Sequence, residues 1–387
     1  MENLILGVIM AFAITFYSIP IIIQVSNMKK LFDHPDERKL HQSPIPSLGG
    51  LGIFGGFIMA ILLMADFSSQ EVSGTIQYYL AAFMVIFFFG IKDDILILTP
   101  LKKLIGQLAV AAILIFKANL LITNMDNFLG IEHWPKTAGI VFSFMTIIVT
   151  MNAYNLIDGV DGLAGSAGII TTCFFGFIAF ANNNHYYALI GFSFAGALAA
   201  FLMYNFSPAR IFMGDTGAML IGLVNAILVI QFINMPNNSA TITIAAKPAM
   251  GFGVLLIPLM DSLRVFAIRV FNGFSPFDAD RNHIHHLLLD RGMSHRKVVY
   301  AISIASVAFM AITYCLLPLG TTTVVVIQVI LFYLAIYALK FSNSKSKKFQ
   351  VIRGNVGAEL DETAQQFNKR KSNKLSTYRS WVFKLPF

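Results

Sequence analysis

The chain is poor in charge, cysteine and tryptophan. Only 12% of its 387 residues are Asp, Glu, Lys or Arg, against roughly 25% in soluble domains, so about half the usual polar surface is missing. The two cysteines, Cys173 and Cys315, both lie in apolar runs, which excludes a secreted disulfide scaffold. Low charge combined with 56% hydrophobic residues excludes a disordered chain and a nucleic-acid-binding domain. No Walker-type glycine loop is present, so nothing marks ATP as a phosphate source. What the chain has instead is apolar sequence in long runs, with a mean hydropathy of +0.70. These features define a multi-pass membrane protein.

A transmembrane helix needs about 20 mostly apolar residues. Eleven stretches qualify, near 4–24, 49–65, 76–91, 101–121, 137–152, 163–181, 186–204, 217–234, 248–268, 298–317 and 321–340. The expected fold is therefore an all-α integral membrane protein, a polytopic bundle of about 11 transmembrane helices. The first stretch is too long for a cleaved signal peptide and lacks a basic leader and a small-residue cleavage site. Nothing larger than a linker separates the stretches, so residues 1–340 read as one transmembrane domain and 341–387 as a basic tail. Placing the N-terminus outside (periplasmic) and alternating leaves only Lys117, Lys136 and Lys247 outside, of 28 Lys and Arg. That asymmetry satisfies the positive-inside rule and puts the C-terminus in the cytoplasm. The net charge of +8 then calls for no nucleic-acid partner; the basic tail is a topology determinant beside anionic lipid.

The acids are equally one-sided. Of 20 Asp and Glu, only Glu2, Asp66, Glu71, Asp126 and Glu132 fall outside. Ionisable groups at membrane depth are costly and point to function, and five segments on the cytoplasmic face concentrate them. Asp33 to His41, with Arg38 and Lys39, is a cationic loop suited to phosphate, followed by Pro44, Pro46 and Gly49-Gly50. Asp93-Asp94 pairs two carboxylates at a helix end, which a cation or a proton-accepting role would compensate. Asn152, Asn155 and Asp158 share one helix face. Two Asp-Gly pairs, Asp158-Gly159 and Asp161-Gly162, then break that helix, and their oxygen-rich set suits Mg²⁺ bound with phosphates. The spacing does not fit a calcium loop. Gly214-Asp215-Thr216-Gly217 opens a helix, with Asp215 either a cap or a ligand. Last comes Asp280-Arg281-Asn282-His283-Ile284-His285-His286, which without a partner cysteine or an H-E-x-x-H pattern favours phosphate contacts over zinc. This inventory suits Mg²⁺-dependent phosphoryl or phosphoglycosyl transfer at the cytoplasmic surface.

Taken together and in order, these motifs resemble the polyprenyl-phosphate N-acetylhexosamine-1-phosphate transferases, the WecA/TagO branch, to which MraY is related. The matching elements are D-x-P-x-x-R-K-x-H with P-x-x-G-G at 33–50, Asp93-Asp94, NAYNLIDGVDGLAGS at 152–166, FMGDTGAMLIG at 212–222 and DRNHIHHLLLDRG at 280–292. The resemblance covers about 33 to 292 and leaves the tail outside. It implies transfer of an N-acetylhexosamine-1-phosphate, GlcNAc-1-phosphate foremost, from its UDP-sugar to undecaprenyl phosphate. The products are UMP and the lipid-diphosphate sugar, and the step initiates cell-envelope polysaccharide synthesis at the bacterial inner membrane. The resemblance also implies Mg²⁺, with Mn²⁺ as substitute, and a homodimer is the assembly to consider.

The roles it implies fall on particular residues. Asp215 is the foremost metal ligand, with Asp94 and Asn155 beside the ion. Asp93, Asp94, Asp158, Asp161 and His283 form the catalytic group, and one of Asp93 and Asp94, Asp93 for preference, accepts the lipid-phosphate proton. Arg38, Lys39, His41, Asn152, Asn155, Arg281, His285 and His286 contact substrates. Ile284 interrupts the histidine run, whereas the MraY enzymes resemble an unbroken triple histidine; this favours a UDP-GlcNAc-like donor over the MraY-type pentapeptide donor. The alternative from another class is a multi-pass anion or metal transporter. It predicts polar groups near mid-membrane and two related halves, and the sequence shows no internal repeat.

Overall fold

Residues 214–234 are apolar around most of the helical circumference, a pattern that suits a helix surrounded by protein or by lipid. In the computed structural model this stretch is the central helix, buried without interruption from Thr216 to Ile230. The structure describes residues 1–33, 44–67, 74–96, 98–131, 134–236, 242–273 and 282–341. In chain order its helices are α1 (Glu2–Lys29), α2 (Gly49–Met64), α3 (Ile76–Leu96), α4 (Pro100–Ala112), α5 (Lys136–Ile157), α6 (Leu163–Ala181) and α7 (His185–Asn205). They continue with the central α8 (Gly214–Asn234), then α9 (Lys247–Val254), α10 (Leu256–Phe271), α11 (Ile284–Leu289), α12 (His295–Leu316) and α13 (Thr321–Phe341).

The protein is a helical integral membrane protein. Seven described helices are long and apolar enough to cross a bilayer: α1, α5, α6, α7, α8, α12 with its 3-10 extension to Leu319, and α13. The other predicted stretches are helical too, in different forms. The second, α2, has only 16 residues, and α3 carries Lys92, Asp93 and Asp94 near its C-terminal end. The stretch near 101–121 divides into α4 and a π-helical turn, Ile113–Lys117. The stretch near 248–268 breaks at Leu255 between α9 and α10. Pro258 explains the break, because it lacks the N–H that would reach the Val254 carbonyl and its ring crowds that carbonyl. One departure from an all-α fold is a two-residue antiparallel ribbon, β1 (Phe32–Asp33) with β2 (Ile45–Pro46). Pro44 and Pro46 disfavour helix there.

α3, α5, α6 and α2 pack around α8, while α1 pairs with α2 and α7. Close approach depends on missing side chains. A Cβ on Gly50 of α2 would stand 2.4 Å from the Gly217 nitrogen, and one on Gly90 of α3 would stand 2.5 Å from the Thr216 Cα. Polar staples reinforce the apolar contacts. The Tyr79 and Tyr187 hydroxyls lie 3.0 Å apart, with Gln231 donating to Tyr79 at 3.1 Å, and Gln328 of α13 donates to Thr313 of α12 at 2.7 Å. Exposed apolar side chains such as Ile304 and Val307 on α12 and Ile330 and Leu334 on α13 form the side turned to lipid.

Gly50→Ala forces the α2–α8 contact apart and lowers stability by about 1–3 kcal/mol. Gly55→Ala, which meets nothing within 4 Å, leaves stability unchanged or slightly raised. Thermal unfolding in detergent separates the two. Equal midpoints for both variants would contradict the packing described.

Candidate active site

The N-terminus of α8 begins without a side-chain cap of its own, leaving backbone N–H groups to be satisfied. A carboxylate from α3 takes them. Asp94 accepts from the Asp215 N–H at 2.6 Å, the Thr216 N–H at 3.3 Å and the Thr216 hydroxyl at 2.5 Å. A negative group at this end also meets the positive pole of the helix. Gly214 makes the approach feasible. Its φ is +70°, and a Cβ there would lie 2.2 Å from the Ser47 carbonyl and 2.7 Å from both Asp94 carboxylate oxygens. The preceding loop is fastened to the P-x-x-G-G segment by backbone bonds: Phe212 N–H to Pro46 O at 2.7 Å, Gly49 N–H to Phe212 O at 2.9 Å and Gly50 N–H to Met213 O at 2.8 Å.

Next to this cap, side chains from four helices form a continuous polar chain. Asp93 accepts the Leu98 N–H at 2.6 Å and pairs with the Lys103 ammonium from α4. Lys103 also donates to Asp215 Oδ2 at 2.5 Å, and Asn155 of α5 donates to Asp215 Oδ1 at 2.5 Å. One turn below, Asn152 and Gln107 exchange amide bonds, Asn152 Nδ2 to Gln107 Oε1 at 2.8 Å and Gln107 Nε2 to Asn152 Oδ1 at 3.3 Å. Lys103 and Gln107 are four residues apart on α4, and Asn152 and Asn155 three apart on α5, so two helix faces meet in register.

Beyond α5 the Asp-Gly pairs make a tight turn. Gly162, at φ +82°, donates its N–H to Asn205 Oδ1 at 2.8 Å. Asp161 accepts the Ala209 N–H at 3.4 Å and lies 3.3 Å from His295 Nδ1. Burial pushes the Asp158 carboxyl well above the usual carboxylate range, and the charges of Asp215, Asp94 and Asp161 add to the effect. Among the described residues, Lys103 is the ammonium that pairs with Asp93 and Asp215.

The histidine segment closes the other side. His285 packs on Gly159, where a Cβ would come within 2.5 Å of its Nε2. Its ring is parallel to that of His283, with centroids 5.5 Å apart, and His286 lies 4.3 Å away. Burial, then the neighbouring His286 and His283, pushes the His285 pKa down to about 3, so this ring is neutral. His283 in turn meets Asp261 of α10, Nδ1 to Oδ2, at 3.0 Å.

The structure thus brings together Asp93, Asp94, Asn155 and Asp215, with Asn152, Asp158 and Asp161 adjoining, and joins His283, His285 and His286 to them through Gly159. Arg38, Lys39, His41 and Arg281 lie outside the described residues. The motifs do not mark Lys103, Gln107, Asp261 or Arg264, and they include Thr216 without giving it a role. Lys103 reads as one more cytoplasmic lysine, while Asp261 and Arg264 carry a usable signal, two charges inside an apolar run. Among the described residues, no three carboxylate, imidazole or thiol groups form a ready-made metal cage.

Fold and site together define a polytopic helical membrane protein with an acidic, hydrogen-bonded centre at one end of its bundle. The model of glycosyl transferase family 4 matches residues 76–233, from the start of α3 to the end of α8. The decaprenyl-phosphate N-acetylglucosaminephosphotransferase of Mycobacterium tuberculosis (strain H37Rv) is 32% identical over 289 residues, 70% of this chain and 71% of its own. That of Mycobacterium leprae is 29% identical over 309 residues, covering 75% and 77%. The undecaprenyl-phosphate alpha-N-acetylglucosaminyl 1-phosphate transferase of Escherichia coli O157:H7 is 28% identical over 296 residues, again covering 75% and 77%. The chain belongs to this family of membrane transferases.

Asp94→Ala strands the α8 N–H groups and the Thr216 hydroxyl and lowers stability by about 1–3 kcal/mol. Asp94→Asn, which retains an acceptor, loses less. Thermal unfolding in detergent measures both, and an Ala variant as stable as the parent would contradict the cap.

Proposed function

We propose that the protein transfers GlcNAc-1-phosphate, or a close N-acetylhexosamine-1-phosphate, from its UDP-sugar to undecaprenyl phosphate. An acceptor phosphate oxygen attacks the sugar-bearing phosphorus, a new phosphoanhydride forms as the old one breaks, and UMP leaves. One anhydride replaces another, so no ATP is consumed. The observation that carries this reading is the chain Asp93–Lys103–Asp215–Asn155, contributed by four helices beside the α8 N-terminus. The names of the relatives support the acceptor class and the sugar.

The donor set fits Mg²⁺, with Mn²⁺ as substitute, because it consists of carboxylate and amide oxygens. It fits an ion that arrives with substrate, since Mg²⁺ is commonly held by one or two carboxylates plus phosphate oxygens rather than by a protein cage. Asp215, Asp94 and Asn155 would hold it, and its charge would offset the repulsion between two anionic substrates. Asp93, fixed by the Leu98 N–H and Lys103, is placed to accept the lipid-phosphate proton. Asp158 and Asp161 shape the nucleotide side. His283 acts on the diphosphate, with His285, His286 and Asn152 around the substrates and Arg38, Lys39, His41 and Arg281 supplying further contacts. Eleven spans, a periplasmic N-terminus and a cytoplasmic C-terminus put this end of the bundle at the cytosol, where nucleotide sugars are. Residues 1–340 are the transferase domain, 341–387 the basic tail, and a homodimer is the assembly to test. The placement is the bacterial inner membrane.

The test is a membrane assay with radiolabelled UDP-GlcNAc, undecaprenyl phosphate and Mg²⁺. Label enters butanol-extractable lipid with release of UMP, EDTA abolishes it, and Asp215→Asn lowers turnover by about 100-fold or more. Undiminished transfer in EDTA, or by Asp215→Asn, would remove the metal assignment. Failure of every UDP-N-acetylhexosamine with folded protein would remove the reaction.

A further inference from the structure

Two opposite charges lie inside the apolar sequence of α10, and the proposed chemistry does not use them. Asp261 is 2% exposed and Arg264 4% exposed, one turn apart on the helix that follows the Leu255 break. A buried ion pair contributes little net stability compared with an apolar pair of similar size. Its presence in a membrane helix therefore calls for another reason. The contacts supply one, since they all converge on a single residue of another segment.

Arg264 Nη2 donates to Asp261 Oδ1 at 2.7 Å and also to the Asn282 carbonyl. Asp261 accepts the Ile284 N–H, at 3.1 Å to Oδ1 and 3.2 Å to Oδ2. It also takes His283 Nδ1 at 3.0 Å. The peptide groups on both sides of His283, and its ring, are thus tied to one pair on α10. His283 itself is 4% exposed and occupies the N-cap position of the short helix α11 without making a side-chain cap bond there. A carboxylate on Nδ1 settles which nitrogen carries the hydrogen of a neutral imidazole and leaves the lone pair on Nε2. The parallel His285 ring then bridges from His283 to Gly159, between Asp158 and Asp161.

We infer that Asp261 is the positioning residue for His283: held by Arg264, it sets the ring's tautomer and fixes the backbone that stacks the ring parallel to His285, which packs on the carboxylate turn. Asp261 touches no substrate and acts only through His283. The inference rests on the proposed role of His283 in the transfer.

The test is a double-mutant cycle on the full-length protein, with kcat and the donor KM measured separately in the radiolabel assay. Asp261→Asn keeps the size and one acceptor but loses the charge that selects the tautomer. It lowers kcat by at least about 10-fold, as a wrong tautomer does in a catalytic triad, with the donor KM within about threefold. In a His283→Ala background the same change alters kcat by less than about twofold, because the group through which it acts is gone. Asp261→Glu, which restores the carboxylate, recovers part of the loss. Where Asp261→Asn does not fold, the charge-neutral pair Asp261→Asn/Arg264→Gln takes its place in the cycle. An undiminished kcat in Asp261→Asn, while His283→Ala is impaired, overturns the inference and leaves the role of His283 standing. Equal losses in both backgrounds also overturn it, by showing a role that does not pass through His283. A fully active His283→Ala overturns the role of His283 and the inference with it.

Discussion

The carboxylate of Asp94 accepts from the backbone of Asp215 and Thr216 and from the Thr216 hydroxyl, closing the N-terminus of α8 from a neighbouring helix. Because α8 is the buried axis of the bundle, this contact fixes the end of α3 to the centre of the molecule. Asp93, one residue away, then has its place relative to Lys103 and Asp215 determined by the same joint. Glycine makes the joint feasible. Gly90 lets α3 approach Thr216, Gly50 lets α2 approach Gly217, and Gly214 admits the Asp94 carboxylate where a Cβ would collide with it. Side-chain volume removed at these positions is what allows charged groups from four helices to meet.

The electrostatics follow from that convergence. Asp93, Asp94, Asp158, Asp161 and Asp215 gather within one end of an apolar bundle, where carboxylates resist ionisation unless a positive group faces them. Lys103 answers two of them directly, and backbone N–H groups answer Asp94. Burial and the charges of Asp215, Asp94 and Asp161 make Asp158 a weaker acid. Such a site favours the arrival of further positive charge. On the histidine side the charges balance: His285 is neutral, and the buried pair Asp261–Arg264 anchors the segment that carries it.

Much of this was legible in the sequence. The adjacent Asp93 and Asp94, the period of Asn152, Asn155 and Asp158, and the Asp-Gly breaks all carry their spacing openly, and the structure places these residues at one end of the bundle. The apolar stretches announce a polytopic helical protein just as directly. Other features were not legible, for physical reasons. Lys103 looks like any cytoplasmic lysine because its function depends on tertiary contact with Asp93 and Asp215, which no local pattern reveals. Thr216 and Gln107 are ordinary helix residues until α3 and α5 are brought beside them. The apolar window near 248–268 masks both a proline break and the pair Asp261–Arg264, since hydropathy averages two charges away among eighteen or so apolar neighbours. The short ribbon of β1 and β2 falls below any periodicity signal.

The central proposal is that this centre is held together by Lys103 and becomes a divalent-cation site only when substrate phosphates complete it. The most direct measurement is electron paramagnetic resonance of Mn²⁺ titrated into the detergent-solubilised protein, with and without UDP-GlcNAc. Mn²⁺ bound weakly alone and at least about tenfold more tightly with the nucleotide sugar, with the gain lost in Asp215→Asn, is the expected result. Tight Mn²⁺ binding without nucleotide, or a gain that survives Asp215→Asn, would contradict it.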